Sequence, residues 1–300
     1  MSAILRTSED RFASLPDFAY APRYIDGLRG YAGLRMHYVD AGDERATTTF
    51  LCLHGQPTWA YLFRRMLPAF LAAGHRVIAP DLFGFGRSDK PAEESIYTFE
   101  FHRESLRTFV EALDLRNLCL VVQDWGGLLG LTLPMSMPDR ITRLLIMNTT
   151  LAGGDEPLPP GFVAWRDWAN KNPDMGVGKL LGRACPHLSI DECAAYDAPY
   201  PDASFKAGVR RFPNLVPDRI DAPGARLSRD ARAWLSTHWS GASFMAIGMK
   251  DPVLGPAVMT ALHRQVRGCP APMEIPEAGH FVQEWGKPIA AAALAHFKLG

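Results

Sequence analysis

The sequence lacks an excess of charge of either sign. Its lysines and arginines number 32, and so do its aspartates and glutamates, which leaves a formal net charge of zero. A neutral protein presents no extended field to a nucleic acid or an anionic membrane surface, so the composition argues against both as partners. We therefore expect a small, uncharged substrate or a local binding site.

Long apolar runs and a secretion signal are also missing. No stretch approaches the roughly 18–20 uninterrupted apolar residues of a membrane span, and residues 1–18 lack the apolar centre of a signal peptide. The five cysteines are odd in number and show no spacing typical of metal ligands. Cys52 and Cys119 lie within apolar runs, where a free thiol packs as a small hydrophobic group. These features predict a cytoplasmic protein in a reducing environment.

Short apolar runs alternate with longer helical patterns along most of the chain. The runs are bounded by Gly, Pro or Asp, as is typical of buried parallel strands. The predicted strands cover residues 49–53, 77–79, 118–123, 144–148, 243–247 and 273–275. The predicted helices cover residues 60–73, 98–113 and 125–137. This alternation predicts an α/β fold with a doubly wound, mostly parallel sheet.

One region departs from the alternation. Residues 151–235 contain many prolines and no clear strand, and they begin with a Gly/Pro-rich stretch at 153–161. We interpret this region as a helical cap inserted into one core, whose two parts are residues 1–150 and 236–300. An independent domain is the alternative. Between core and cap we expect a largely apolar pocket that is closed to bulk water.

Asp124 follows an apolar strand pattern and precedes Trp125, Gly126, Gly127 and an apolar helix. This order is typical of a nucleophile elbow, in which small residues let the turn tighten so that one side chain projects above the sheet. The usual motif has Ser at this position and Gly two places before it, where this chain has Val122. The helix N-terminus favours an ionised Asp124. The alternative is that Asp124 merely caps the helix.

Three other polar residues follow predicted strands. Gln56 lies in the HGQP turn after strand 49–53, where the backbone N–H is expected to join that of Trp125 in an oxyanion hole. Asp251 follows strand 243–247, and His280 follows strand 273–275. The order nucleophile, acid, histidine is that of α/β-hydrolase triads. Taken singly, each has a structural alternative, such as a plain Gly-Pro turn or a structural histidine.

A carboxylate at the elbow points to displacement at saturated carbon. Asp124 needs no deprotonation before it attacks, and the product is an alkyl ester. His280 would then activate water against that ester, with its imidazole oriented by Asp251. A departing halide needs directed donors, and the indole N–H of Trp125 is a donor without an acceptor. Two more of the seven tryptophans, Trp165 and Trp168, lie in the presumed cap, with ordinary packing as the alternative.

The chain resembles the haloalkane dehalogenases of the α/β-hydrolase superfamily over nearly its full length. The resemblance implies hydrolysis of chlorinated or brominated alkanes to alcohol, halide and proton, with no metal and no cofactor. It implies Asp124 as nucleophile, His280 as base and Asp251 as acid, as in the subfamily with an Asp-His-Asp triad. It also implies oxyanion donors at Gln56 and Trp125, with Trp125 binding halide. The segments that carry it are HGQPTWAYLFRRMLP (54–68), DLFGFGRSDKP (81–91), VVQDWGGLLG (121–130), AIGMKDPVLGP (246–256) and EAGHFVQEWG (277–286).

The second halide-binding residue departs from this pattern. Some relatives carry a tryptophan in the cap where this chain has Ala184. Trp165 is our first candidate for the role and Trp168 the second. The side-chain amide of Gln56 is a third, because the other large subfamily uses an Asn in that position.

Two other functions compete with dehalogenation. An epoxide hydrolase shares the HGxP turn, the DWGG segment and the triad order, but needs an acid, typically a pair of cap tyrosines. Tyr196 and Tyr200 are the candidates, although we favour packing among prolines for both. A catalytically silent ligand receptor on the same fold is the alternative from another class, but no part of the catalytic machinery is missing from the sequence.

Overall fold

The computed structural model of the protein describes residues 3–300. Eight strands form one sheet in the order β10-β9-β8-β7-β4-β5-β3-β2, and β1 pairs with β6 in a separate two-stranded ribbon. The strands are β1 (Ile4–Leu5), β2 (Arg23–Asp26), β3 (Arg35–Ala41), β4 (Thr49–Leu53), β5 (Arg76–Pro80), β6 (Lys90–Pro91), β7 (Leu118–Val122), β8 (Ile141–Met147), β9 (Ala242–Gly248) and β10 (Met273–Ile275).

The six strands predicted from apolar runs are all confirmed, and they form the parallel part of the sheet. Only β3 runs against its neighbours, since it pairs antiparallel with both β2 and β5. Neither β2 nor β3 was expected. The reason is that β3 buries polar residues, which hide its strand pattern: His37 is 1% exposed and its Nδ1 lies 2.7 Å from Oδ2 of Asp81.

Ten α-helices accompany the strands among residues 3–300. They are α1 (Leu67–Ala72), α2 (Phe99–Ala112), α3 (Trp125–Gly130), α4 (Pro160–Lys171), α5 (Val177–Ala184), α6 (Ile190–Asp197), α7 (Ala207–Arg211), α8 (Ala225–Thr237), α9 (Pro256–His263) and α10 (Gly286–Phe297). The helix predicted at 98–113 is confirmed, and the Thr98 side chain caps it by accepting from the N–H of Phe101.

Two other helix predictions were too long. Residues 60–73 form a 3₁₀ turn, Ala60–Phe63, and then the separate helix α1. Pro68 lies in the first turn of α1, where a proline is accommodated because no intrahelical N–H is lost, so it marks a new start. The helix predicted at 125–137 ends at Gly130. The apolar periodicity of the sequence continues through the gap between Phe63 and Leu67 and beyond Gly130. It therefore did not reveal where the two helices begin or end.

Residues 151–235 contain helices and no strand, as expected. The first turn of α4 lies directly on the loop that follows β9. A Cβ atom added at Gly161 would lie 1.8 Å from the carbonyl oxygen of Pro252, so only glycine permits this approach. Helix α8 continues two residues past 235, and the division into core and cap stays a prediction. No helix among residues 3–300 is long and apolar enough to cross a membrane.

Candidate active site

The site forms where the chain order of the sheet reverses. Strands β4 and β7 are neighbours, with β5 beyond one and β8 beyond the other. Leu53, the last residue of β4, pairs with Val122, the last of β7, so the turns that follow lie side by side. Ligands of open α/β sheets bind at such a switch point, beyond the carboxyl ends of the strands.

Asp124 occupies a strained turn between β7 and α3. Its φ of 50° is positive, which is rare outside glycine and marks strain at functional sites. The turn packs so tightly that a Cβ atom at Gly126 would lie 1.9 Å from the carbonyl oxygen of Leu53. A Cβ at Gly55 would lie 2.2 Å from Oδ1 of Asp124. This geometry is that of the expected elbow, and it aims the carboxylate away from the sheet.

The structure brings the three predicted triad residues together. Nδ1 of His280 lies 2.9 Å from Oδ2 of Asp251, and Nε2 lies 3.5 Å from Oδ2 of Asp124. The backbone N–H of Gln56 donates to Oδ1 of Asp124 at 2.8 Å. The Asp251 side chain is fully buried, whereas those of His280 and Asp124 keep 15% and 17% of their surface accessible. Two of the three therefore face an open space.

The two carboxylates control the charge of His280. Burial by itself would lower the pKa of the ring, but Asp251 and Asp124 outweigh it and raise the pKa to about 10. Burial would likewise raise the pKa of Asp251, yet its contact with His280 and its hydrogen bonds hold that pKa below its usual value. The two carboxylates therefore favour the protonated form of the His280 ring.

Two polar residues that support the triad were missed in the sequence. Asn148 is buried beside Asp251; its Nδ2 donates to Oδ2 of Asp251 at 3.0 Å, and its Oδ1 accepts from the N–H of Gly248 at 2.7 Å. Gln123 donates from Nε2 to the carbonyl oxygen of His280 at 3.0 Å. Both residues directly follow an apolar strand, as the predicted site residues do, and that position was the available signal.

A cavity of about 670 Å³ lies over Asp124 and His280. Its lining is mostly apolar, as expected. Its polar lining residues include Arg183, His187, Lys250 and Glu277, and all four are exposed. The cavity therefore reaches the surface at this end, and the prediction of a pocket closed to bulk water is wrong there.

Three tryptophans line the cavity: Trp125, Trp165 and Trp285. Trp285 was not anticipated. Among residues 3–300, the indole N–H groups of all three make no hydrogen bond, whereas those of Trp59 and Trp239 donate to acceptors at 3.2 and 2.9 Å. The three free donors are thus available to a ligand.

The other halide-binding candidates are placed less favourably. Trp168 stacks on Trp165 with ring centroids 5.4 Å apart, but it is 38% exposed and lines a separate outer cavity. The amide Nε2 of Gln56 donates to the carbonyl oxygen of Val209 at 3.1 Å, so this donor is already engaged. Trp165 remains the first candidate on these grounds.

The two cap tyrosines are engaged away from Asp124. The hydroxyl of Tyr196 contacts Glu284 and accepts from Arg64, and the hydroxyl of Tyr200 donates to the carbonyl oxygen of Pro57 at 3.2 Å. Both are buried, and neither is among the cavity-lining residues in the described chain. The arrangement offers no tyrosine pair for opening an epoxide, in agreement with the packing interpretation.

Comparisons with known proteins show the family of the chain. A sequence model of the α/β hydrolase fold matches residues 48–287. A haloalkane dehalogenase of Psychrobacter cryohalolentis is 42% identical over 300 residues, covering 98% of this chain and 97% of the relative. Haloalkane dehalogenase 1 of Mycobacterium bovis is 42% identical over 286 residues, or 94% of each chain.

A solved structure gives the same result in three dimensions. The haloalkane dehalogenase DpaA of Paraglaciecola agarilytica, described as tetrameric, is 53% identical with a TM-score of 0.96, over 98% of this chain and 99% of that one. The match therefore includes both halves of the sheet and the helical region between them. The chain belongs to the α/β-hydrolase fold family and, within it, to the haloalkane dehalogenases.

Proposed function

We propose that the protein hydrolyses carbon–halogen bonds of short and medium chlorinated or brominated alkanes, with Asp124 as nucleophile and His280 as base. One observation carries the proposal: a carboxylate at the tip of the elbow is held by the Gln56 N–H on one oxygen and faces His280 with the other. A hydroxyl in this position would require a base before attack, whereas a carboxylate does not.

The first step is displacement of the halide. Oδ2 of Asp124 attacks the carbon that bears the halogen, the new C–O bond forms, and the C–halogen bond breaks with its electron pair on the halide. Oδ1 remains on the Gln56 N–H and becomes the ester carbonyl oxygen. The leaving halide accepts from the indole N–H groups of Trp125 and Trp165, whose lack of other partners among residues 3–300 supports this role.

The second step is hydrolysis of the alkyl ester. His280 takes a proton from water, and the oxygen of that water attacks Cγ of Asp124. The oxyanion that forms at Oδ1 rests on the N–H groups of Gln56 and Trp125; Trp125 is the first residue of α3, so its N–H has no partner within the helix. The bond from Cγ to the alkyl oxygen then breaks, and the alcohol leaves with the proton held by His280. The second proton of the water, left on the new carboxyl group of Asp124, passes to His280 and restores the carboxylate.

Ester formation also switches His280 into a base. In the resting site the two carboxylates hold its pKa at about 10, which favours the imidazolium. Alkylation of Asp124 removes one of these charges, so the pKa falls and the ring releases its proton to solvent through the open end of the cavity. The neutral ring can then accept the proton of water. Asp251 keeps Nδ1 protonated and stabilises the imidazolium as it forms.

The test is a pair of variants assayed with 1-bromobutane. Asp124→Ala should release no bromide above background. His280→Gln should release about one bromide per site and then stop, with the protein mass increased by one butyl group. His238→Gln, which changes an exposed histidine at the end of α8, is the matched control and should turn over normally. Sustained turnover by His280→Gln would contradict the proposed base.

We further propose that the protein acts in the cytoplasm and engages neither nucleic acid nor a membrane surface. The five cysteines are free thiols, which suits a reducing compartment. The balanced charge supports the absence of an anionic macromolecular partner. Cell fractionation with antibody detection is the test, and recovery with the membrane fraction would contradict it.

A further inference from the structure

A second cavity of about 470 Å³ adjoins the active-site cavity on the outer side of the cap. Leu180 and Arg183 of α5 line both cavities, so these side chains form a shared wall. The stacked pair Trp165 and Trp168 continues from one to the other, since Trp165 lines the inner cavity and Trp168 the outer. The two stacked indoles therefore line adjacent cavities and extend an apolar surface across the boundary between them.

The inner cavity alone exceeds the needs of a short haloalkane. A volume of about 670 Å³ lies in the range that holds drug-sized ligands. The additional space lies toward the exposed rim, because the buried end is occupied by Asp124, His280 and Trp125. A substrate that fills the site therefore extends toward the outer cavity.

Two cations of the outer cavity have no partner. Among residues 3–300, neither Lys179 nor Arg183 makes an ion pair or a side-chain hydrogen bond. The carboxylate in this lining, Asp174, is already paired with Nζ of Lys206 at 2.5 Å. Six other cations of residues 151–235 have carboxylate partners, whereas Lys171, Arg211 and Arg229 do not. The six are Arg166, Lys206, Arg210, Arg219, Arg226 and Arg232.

Placing these two cations one turn apart does not help the helix. Like charges at positions i and i+4 repel and destabilise a helix by roughly 0.2–0.5 kcal/mol. Lys250 lines the inner rim but is paired with Glu277 at 2.6 Å, so it adds no free charge. Two unpaired positive charges therefore lie on one face of α5, beside Trp168 in the lining of the outer cavity.

We infer that Lys179 and Arg183 form a subsite for an anionic group at the far end of the substrate, a carboxylate on a halogenated alkyl chain. The halogen end lies at Asp124, the chain lies along Trp165 and Trp168, and the carboxylate lies between the two cations. This subsite rests on the proposed function, which places the halogen end of the substrate at Asp124. The preferred substrate class is therefore ω-halogenated carboxylates.

Binding without a halogen separates this subsite from the chemistry. Calorimetric titration of the unaltered chain with octanoate and with octanamide compares a carboxylate with its neutral isostere. Octanoate should bind more tightly, and each of Lys179→Gln and Arg183→Gln should reduce the preference by about threefold, since partly exposed ion pairs are weak. The double variant should bind both ligands equally. Arg264→Gln removes an exposed cation from α9 and should leave the preference unchanged.

Turnover supplies the second measurement. The ratio of kcat/KM for 8-bromooctanoate to that for 8-bromooctanamide should fall in the double variant by about the same factor as the binding preference. Equal binding of octanoate and octanamide by the unaltered chain, or a preference that survives in the double variant, would overturn the subsite. A lack of bromide release from 1-bromohexane would instead contradict the proposed function, while the octanoate comparison still decides the subsite.

Discussion

The imidazole of His280 contacts the carboxylate whose ester it hydrolyses in the proposed reaction: its Nε2 atom lies 3.5 Å from Oδ2 of Asp124. In the resting state this contact holds a proton on the ring, because an adjacent negative charge favours the imidazolium. Once Asp124 is an ester, the same contact is with a neutral group. Through this contact, the charge of Asp124 controls the protonation of His280.

The first prediction concerns the pKa of His280. Asp124→Asn removes one of the two carboxylates that raise it, so we expect the pKa to fall from about 10 toward the usual range. Asp251→Asn removes the carboxylate that contributes more to the raised pKa, so it should lower the pKa of His280 further than Asp124→Asn does. NMR titration of the ring protons measures both shifts. If the pKa of His280 were the same in Asp124→Asn as in the unaltered protein, the charge of Asp124 would have no effect on the ring.

The same shift predicts how stability depends on pH. The pKa of His280 is raised on folding above the unfolded value of about 6.5. Its contribution to the free energy of unfolding is therefore complete below pH about 6.5, and it is lost as the pH rises through about 10. Urea unfolding of the unaltered protein and of His280→Gln should show a difference that shrinks over this interval. If the difference in the free energy of unfolding grew with pH, the pKa of His280 would not be raised on folding.

The second prediction concerns the halide donors. Trp125→Phe and Trp165→Phe each remove one indole N–H from the cavity while keeping an aromatic ring. Loss of a hydrogen bond to an ion is worth about 1.5–3 kcal/mol, so inhibition by bromide should weaken by about tenfold or more. Trp168→Phe is the control and should change inhibition little, because that ring lies outside the cavity. If Trp285→Phe weakened inhibition and Trp165→Phe did not, Trp285 would be the second donor.

The third prediction concerns Asn148, which positions Asp251 without touching the cavity. Asn148→Ala removes the donor to Oδ2 of Asp251 and leaves the N–H of Gly248 without its acceptor. We expect kcat to fall about tenfold with KM little changed, and the free energy of unfolding to fall by about 1–3 kcal/mol. Rapid-quench mass spectrometry should detect accumulated alkyl ester. Asn170→Ala alters an exposed asparagine as the control, and a rise in KM with kcat intact would contradict the positioning role.

The fourth prediction concerns a buried ion cluster beside the catalytic loop. Glu284, four residues after His280, is fully buried and contacts Arg64 at 2.6 Å, while Arg64 also contacts Glu192 of α6 at 2.7 Å. Glu284→Gln leaves the buried Arg64 with one of its two carboxylates, and removing a partner from a buried pair costs about 3–5 kcal/mol. Glu277→Gln, in an exposed pair with Lys250, should cost about 0–1 kcal/mol.

Chemical denaturation of both variants measures the difference. The cluster joins Glu192 of α6 to Glu284, which precedes α10, through Arg64, so its loss should also loosen the packing of α6. Hydrogen exchange should then quicken in α6 before it does in the central strands. Equal stability of Glu284→Gln and Glu277→Gln would show that the buried cluster contributes no more than a surface pair.

The parallel strands and the site residues that follow them were predictable because both depend on local pattern. A buried parallel strand is apolar on both faces, and a polar residue at its carboxyl end is conspicuous against that background. Asp124, Asp251 and His280 were found in this way. Asn148 and Gln123 show the same signal, but a side chain that orients a catalytic residue has no distinguishing chemistry of its own in the sequence.

Other features depend on partners that are far away in the chain. Strand β3 was hidden because His37 and Asp40 are polar, and their burial is tolerated only through contacts with Asp81 and Arg76. Arg64, between the 3₁₀ turn and helix α1, likewise turns inward to reach Glu192 and Glu284. In each case an ion pair across the fold overrides the local preference, and no periodicity records it.

The sequence by itself determined the type of chemistry, since a carboxylate at a tight turn and a histidine after the last strand restrict what the site can do. It also determined the chain order of the residues that we propose as nucleophile, acid and base. Only the tertiary structure decided which tryptophans face the cavity, that the Gln56 amide is engaged elsewhere, and that two unpaired cations lie at the outer end. Those outcomes depend on how the cap helices pack over the sheet, and packing is a property of contacts between distant residues that no local pattern encodes.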